Sequence, residues 1–243
     1  MSRPMPRLFL IRHGETEWSR NGSVYTGSHS LEISLPELFP FYDHRRHTGR
    51  SDIPLTKGGE EDTLQKAKLL VGDGKILDPK NICTVFVSPR IRAHRTFHLL
   101  FQHLESFPHH LITEEVREWD YGDYEGLKPA EIKEKNPAWN IWKDGCPGGE
   151  STEEMCCRVD IVIQKVRETH RLWKEEGKGS RDVVIIAHGH FNRVFISRWI
   201  KFPLSLGTHF NVEPAGIAIL GYNHNNLAEP ALNALNLYAS TLV

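Results

Sequence analysis

The chain has 243 residues, 39% of them hydrophobic and 25% charged, with a formal net charge of −1. That length can bury a core without metal or disulfide staples, and the near-neutral balance offers no broad basic surface for nucleic acid or anionic membrane. With no broad basic surplus, an anionic ligand must be met by a local cluster of cations, and no apolar run reaches the length of a membrane span.

The opening MSRPMPR has no apolar signal core. It runs into Leu8 to Ile11, a short apolar stretch that predicts a buried strand. The next segment, Ser23 to about Arg46, carries Pro36, Pro40 and scattered aromatics without a period. A structureless stretch of that length is unusual within a compact domain. After Thr56 the pattern turns helical, with Leu64, Ala67, Leu70 and Val71 on one face and Thr56 at the start. Ile82 to Val87 (ICTVFV) predicts a second buried strand, and Arg92 to about His103 a helix presenting Phe97, Leu100, Phe101 and Leu104. Ser151-Thr152-Glu153-Glu154 resembles a capping box. It opens a long helix with Met155, Val159, Val162, Val166 and Trp173 along one side, stopped at Gly177 and Gly179. Val183 to Ala187 (VVIIA) is the clearest buried strand, and Gly216 to Tyr222 predicts another nearer an edge. Apolar runs without alternation suit a parallel sheet covered on both faces. The expectation is one α/β domain over residues 1–243, a three-layer α/β/α sandwich around a mostly parallel sheet, with an atypical insertion at about 23–45.

In such sheets ligands bind at the carboxyl ends of the strands. The first strand ends in Arg12-His13-Gly14, the second in Ser88-Pro89-Arg90-Ile91-Arg92, and the third in His188-Gly189-His190. Glycine after both leading histidines, at Gly14 and Gly189, permits close backbone approach. An acidic candidate, Glu118, lies in the aromatic and glycine-rich VREWDYGDYEG. Guanidinium forks suit phosphate oxygens. A neutral imidazole can attack phosphorus, and a carboxylic acid can protonate a leaving oxygen and then activate water. His13, Arg12 with Arg92, His188 and Glu118 match those needs. Metal binding by His188-x-His190 is the rival reading, but no nearby Asp or Cys completes a recognisable ligand set, and the arginines would repel a divalent ion. The G-x-S-x-G elbow and the nucleotide-binding glycine loops do not occur. His44, His109 and His110 read as surface residues. The four cysteines, Cys83, Cys146, Cys156 and Cys157, form no C-x-x-C pair and read as free thiols in a reducing compartment. A cytoplasmic location is expected, with the nucleus also open.

LIRHGETEW, SPRIRAHRT, REWDYGDYEG and IIAHGH together resemble the motifs of the histidine phosphatase superfamily, the phosphoglycerate mutase-like group, from about Leu8 to about Leu232. The resemblance implies His13 as the phosphorylated nucleophile. Arg12, Arg92 and His188 would bind the phosphoryl group, and Glu118 would be proton donor and then base. No metal or organic cofactor is implied. The stretch GLKPAEIKEKNPAWNIWKDGCPGGEST is short and lacks the arginines with which the mutases grip glycerate, which points to a phosphatase. NIWKDGCPGGEST and GIAILGYNHNNLAEPAL most resemble the fungal sedoheptulose 1,7-bisphosphatases. That likeness implies substrate contacts from Arg193, Ser88, Asn21, Thr48, Gly49 and Gly189. Tyr121 is either a cleft residue or a packing residue. The implied ligand is a small phosphorylated metabolite, a sugar bisphosphate. The chain departs from the group in reading Arg92-Ala93-His94-Arg95-Thr96 in the second motif, and in a shorter KFPLSLGTHFNVEPAG. In the family, Asn21-Gly22 runs almost directly into Arg46. The intervening residues read as a lid, as a neutral surface insertion or as translation of a retained intron. Rival functions are a phosphoglycerate mutase, a broad-specificity or fructose 2,6-bisphosphate phosphatase, and a non-catalytic phospholigand-binding module. Oligomeric state is not legible.

Overall fold

A computed structural model describes residues 3–19 and 45–237. Asn21 and nearly all of the insertion lie outside the described residues. The elements in chain order are β1 (Leu8–Arg12), α1 (Lys57–Leu70), β2 (Ile82–Val87), α2 (Ile91–Phe101), β3 (His110–Ile112), α3 (Pro129–Lys135), α4 (Ile141–Asp144), α5 (Thr152–Arg171), β4 (Asp182–Ala187), α6 (Gly189–Trp199), β5 (Ile217–Tyr222) and β6 (Pro230–Leu237). Short 3₁₀ turns join several of them. They build a sheet of order β3-β2-β4-β1-β5-β6. The first four strands in that order run parallel, and β5 and β6 close the far side with antiparallel pairings.

Period-two alternation explains the layering. Leu8, Leu10, Val183, Ile185 and Ala187 point into one core with Met155, Val159 and Val162 of α5 and Phe191 and Phe195 of α6. Phe9, Ile11, Val184 and Ile186 point into the other with Ala67 and Leu70 of α1 and Phe97 and Leu100 of α2. Because β1 and β4 bury both faces, every second residue cannot be polar, and the continuous apolar runs follow.

The helix boundaries follow from local chemistry. Thr56 caps α1, its side chain accepting from the Gly59 N–H. Ser151 and Glu154 form a reciprocal capping box on α5. The left-handed Gly177, at φ 70°, closes the π turn that continues α5. The α1 face differs from the expected one. Leu64 is only half-buried, while Thr63 and Lys66 are buried. A Cβ on Gly14 would come within 2.9 Å of Thr63 Oγ1, so the loop after β1 packs on this part of α1 and covers Thr63. β5 lies one place in from the edge, which β6 occupies. The four cysteines are free. Among the described residues no helix is long and apolar enough to cross a membrane.

Candidate active site

Parallel register brings three strand ends level. Arg12 lies opposite Ala187, the His13 N–H donates to Ala187 O at 3.0 Å, and the Ser88 N–H donates to Ile186 O at 3.1 Å. The connections leaving β1 and β4 lead to helices on opposite faces of the sheet, α1 and α6, and the crevice opens where they part. The Asn192 amide, buried in the first turns of α6, ties the two strand ends together. Oriented so that both its ends are satisfied, it donates to His188 O and accepts from the Arg12 N–H, at 3.2 and 3.3 Å.

A cleft of about 240 Å³ lies over these ends, with Arg12, His13, Arg92, Glu118, Tyr121 and Arg193 in its wall. His13 Nδ1 sits 2.7 Å from Gly14 O. A carbonyl can only accept, so Nδ1 carries the proton and the lone pair lies on Nε2. Burial, then Arg92 and Arg12, holds the ring's pKa well below the usual histidine value, so it is neutral near pH 7.

Arg92 is buried and its fork is fully oriented. Nη1 donates to Ser51 O and Nη2 to Thr48 O, both at 2.8 Å, and Nε donates to His188 Nδ1 at 3.2 Å. That last bond makes His188 Nδ1 an acceptor. The ring proton therefore sits on Nε2, 2.7 Å from Ser88 Oγ. His188 is kept neutral by burial and by Arg92, and its ring centroid lies 5.2 Å from that of His13. Arg12 donates to Val212 O at 2.6 Å, and its Nε is buried without a partner. Burial, then Arg193, lowers its pKa to about 10, which still leaves it charged at neutral pH.

Glu118 is held by the start of α6. His188, the N-cap, offers no side-chain cap to that helix. The carboxylate supplies one, Oε2 accepting the His190 N–H at 3.0 Å and Oε1 the Phe191 N–H at 2.8 Å. Oε1 also accepts from the Trp119 N–H at 2.9 Å. The Glu118 loop is itself anchored by Arg158, which reaches Glu115 O, Arg117 O and Glu118 O and forms a fork with Glu150.

The residues inferred from resemblance fall in different places. Thr48, Gly189, Arg193 and Tyr121 line the cleft with His13. Ser88 is fully buried behind His188. Gly49 lines a neighbouring cavity on the other side of Glu118, and its N–H is taken by the Glu125 carboxylate. A Cβ on Gly49 would fall 2.4 Å from Trp119 O, whereas one on Gly189 would meet Arg12 only at 3.6 Å, an ordinary contact. The close approach thus applies at Gly14 and Gly49 and not at Gly189.

A model of the histidine phosphatase superfamily (branch 1) matches residues 40–235. The chain belongs to the histidine phosphatase superfamily. The match begins beyond the strand that carries Arg12 and His13. Sedoheptulose 1,7-bisphosphatase of Saccharomyces cerevisiae is 30% identical over 97% of this chain and 94% of its own length. An acid phosphatase of Mycobacterium tuberculosis is 35% identical over 90% of this chain and 87% of its own length. A solved structure from Mycobacterium tuberculosis, that of open reading frame Rv3214, superposes with a TM-score of 0.71 at 33% identity, covering 96% of this chain and 97% of that one.

Several residues around this candidate site were not singled out from the sequence. His47 and His190 stack in the cleft wall, with ring centroids 6.0 Å apart and planes at 17°. His47 lies past the insertion, with no motif to mark it. His190 was legible only as half of a metal spacing, yet its ring faces Tyr121 while the His188 ring faces Ser88 and Arg92. Asn192 could have been found as a polar residue on the apolar face of α6.

Proposed function

We propose that the protein is a metal-independent phosphatase that hydrolyses phosphate monoesters of small metabolites through a phosphohistidine on His13, with a sugar bisphosphate such as sedoheptulose 1,7-bisphosphate as substrate. The observation that carries the phosphatase reading is the fixed tautomer of His13, whose Nε2 lone pair stands in a cleft with Arg12, Arg92 and Glu118. Nε2 attacks phosphorus, the P–O bond to the leaving group breaks, and protonated Glu118 gives its proton to the departing oxygen. Oε2 takes only one backbone bond, against two on Oε1, so it has room for that proton. In the second half, Glu118 carboxylate takes a proton from water as the water oxygen attacks phosphorus and the P–N bond breaks, freeing phosphate and His13. Arg12 and Arg92 neutralise the equatorial oxygens throughout.

The bisphosphate reading rests on Arg193. Its Nε is buried without a hydrogen-bond partner, in the wall of the same cleft, and it gives the site a cation beyond those that serve the reacting phosphoryl. The 30% identity to the yeast enzyme supports that choice. A cytoplasmic location agrees with the free thiols. The test is a phosphate-release panel with sedoheptulose 1,7-bisphosphate, fructose 1,6-bisphosphate, sugar monophosphates and an aryl phosphate, beside an assay of phosphoglycerate interconversion. The expected result is a kcat/KM on the preferred bisphosphate about tenfold or more above the monophosphates. Equal turnover of all esters would remove the bisphosphate, and interconversion without phosphate release would make the protein a mutase.

A further inference from the structure

His190 occupies the first turn of α6 and is the last residue of IIAHGH, where the resemblance gave it no role. Its Nδ1 lies 2.7 Å from the Tyr121 hydroxyl. The ring is clamped, stacked on His47 and meeting Trp142 at 5.4 Å and the edge of Trp119 at 6.3 Å. Both rings of the pair line the cleft.

The position of the shared proton follows from what each group can do. Burial and Arg193 keep His190 neutral, and burial and Glu118 keep the Tyr121 phenol protonated. If imidazole donated to phenol, the phenolic O–H would have no acceptor among the described residues and would face a cationic cleft. If phenol donates to Nδ1, the stronger acid meets the stronger base, and the phenol lone pairs face the cations. Nδ1 therefore accepts, and the one proton of the neutral imidazole lies on Nε2. That nitrogen has no hydrogen-bond partner among the described residues. The pair thus offers the cleft an N–H donor next to an oxygen lone pair. A phosphate or carboxylate oxygen can use only the donor, and the lone pair would repel it. An alcohol uses both, accepting from Nε2–H and donating to the phenol oxygen.

We propose that His190 is a substrate-positioning and specificity-determining residue, which with Tyr121 reads a neutral hydroxyl on the carbon chain of the phosphate ester. The inference deepens the phosphatase reading and rests on it: the substrate class is a polyhydroxylated ester, and an alkyl or aryl phosphate is turned over poorly because it leaves both groups unpaired.

The experiment compares kcat/KM for glucitol 6-phosphate and n-hexyl phosphate, esters of equal carbon number with and without hydroxyls. The wild type favours the polyol ester by about tenfold to a hundredfold. His190→Phe keeps the aromatic stack but loses both nitrogens, and the preference ratio falls at least about tenfold. His190→Gln, whose amide both donates and accepts, restores part of it, and Tyr121→Phe lowers it as His190→Phe does, so the answer does not hang on one variant's folding. Phosphate release from both esters with a ratio unchanged across the variants overturns the hydroxyl reading and leaves the phosphatase standing. No phosphate from either ester and no phosphoenzyme in the wild type overturns the phosphatase reading itself.

Discussion

The Gly14 carbonyl and the Arg92 Nε–H give the two leading histidines opposite tautomers. His13 carries its proton on Nδ1 and His188 on Nε2, so the first ring keeps a lone pair on Nε2 while the second turns its N–H to Ser88 Oγ. Glu118 completes the set while capping α6 through two backbone N–H groups. In Glu118→Gln the amide cannot supply a proton, and one of its ends must turn an N–H₂ toward a backbone donor. We expect kcat to fall by about 10²- to 10⁴-fold, with affinity for inorganic phosphate changed by less than about tenfold. Steady-state kinetics and a phosphate titration check this, and unchanged turnover would remove Glu118 from the chemistry. At this scale the residue types were legible, because Arg12-His13, Arg92 and His188 follow apolar runs and Glu118 stands in an aromatic loop. What orients them was not: the partners of Arg92 are Thr48 O and Ser51 O, and that of Glu118 is the start of α6, far away in sequence.

Strands buried on both faces announce themselves, and the others do not. β1, β2 and β4 read directly from LFLI, ICTVFV and VVIIA. β3 has three residues, all exposed, and β6 is at most half-buried along its length, so neither has the apolar run or the alternation that would mark it. Helix starts were legible where a side chain caps them. Ser151→Ala breaks the box at the head of α5 and is expected to cost about 1 kcal/mol, seen as a lower urea midpoint at constant m-value. An unchanged midpoint would show that packing of Met155 and Val159 alone fixes that end. The start of α6 was not legible as a helix N-terminus, since its cap is the Glu118 carboxylate from a different loop.

Across the whole molecule, burial holds His13, His170, His188 and His190 neutral. His170 is the structural member, bonded to the Tyr222 hydroxyl at 2.8 Å, and burial pushes its pKa down to about 4. Unfolding returns each ring to an ordinary value near 6.5, so the unfolded chain takes up protons that the fold refuses. Stability from these groups is complete above about pH 6.5 and is lost as pH falls toward the folded values. For His170 alone the loss between pH 6.5 and 4 is about 3 kcal/mol. Urea unfolding at pH 7.5, 6 and 5 should show falling midpoints, with a shallower fall in His170→Phe. Midpoints that hold or rise on acidification would mean that the rings are charged in the fold.

The measurement closest to the central claim is trapping of the enzyme by a rapid alkaline, denaturing quench during turnover of a ³²P-labelled phosphate ester. A phosphohistidine on His13 predicts label that is stable in alkali and lost in acid, that maps to the peptide bearing Leu8–His13, and that is absent from His13→Ala. Turnover with no trapped label, or label that survives acid or persists in His13→Ala, would contradict the account.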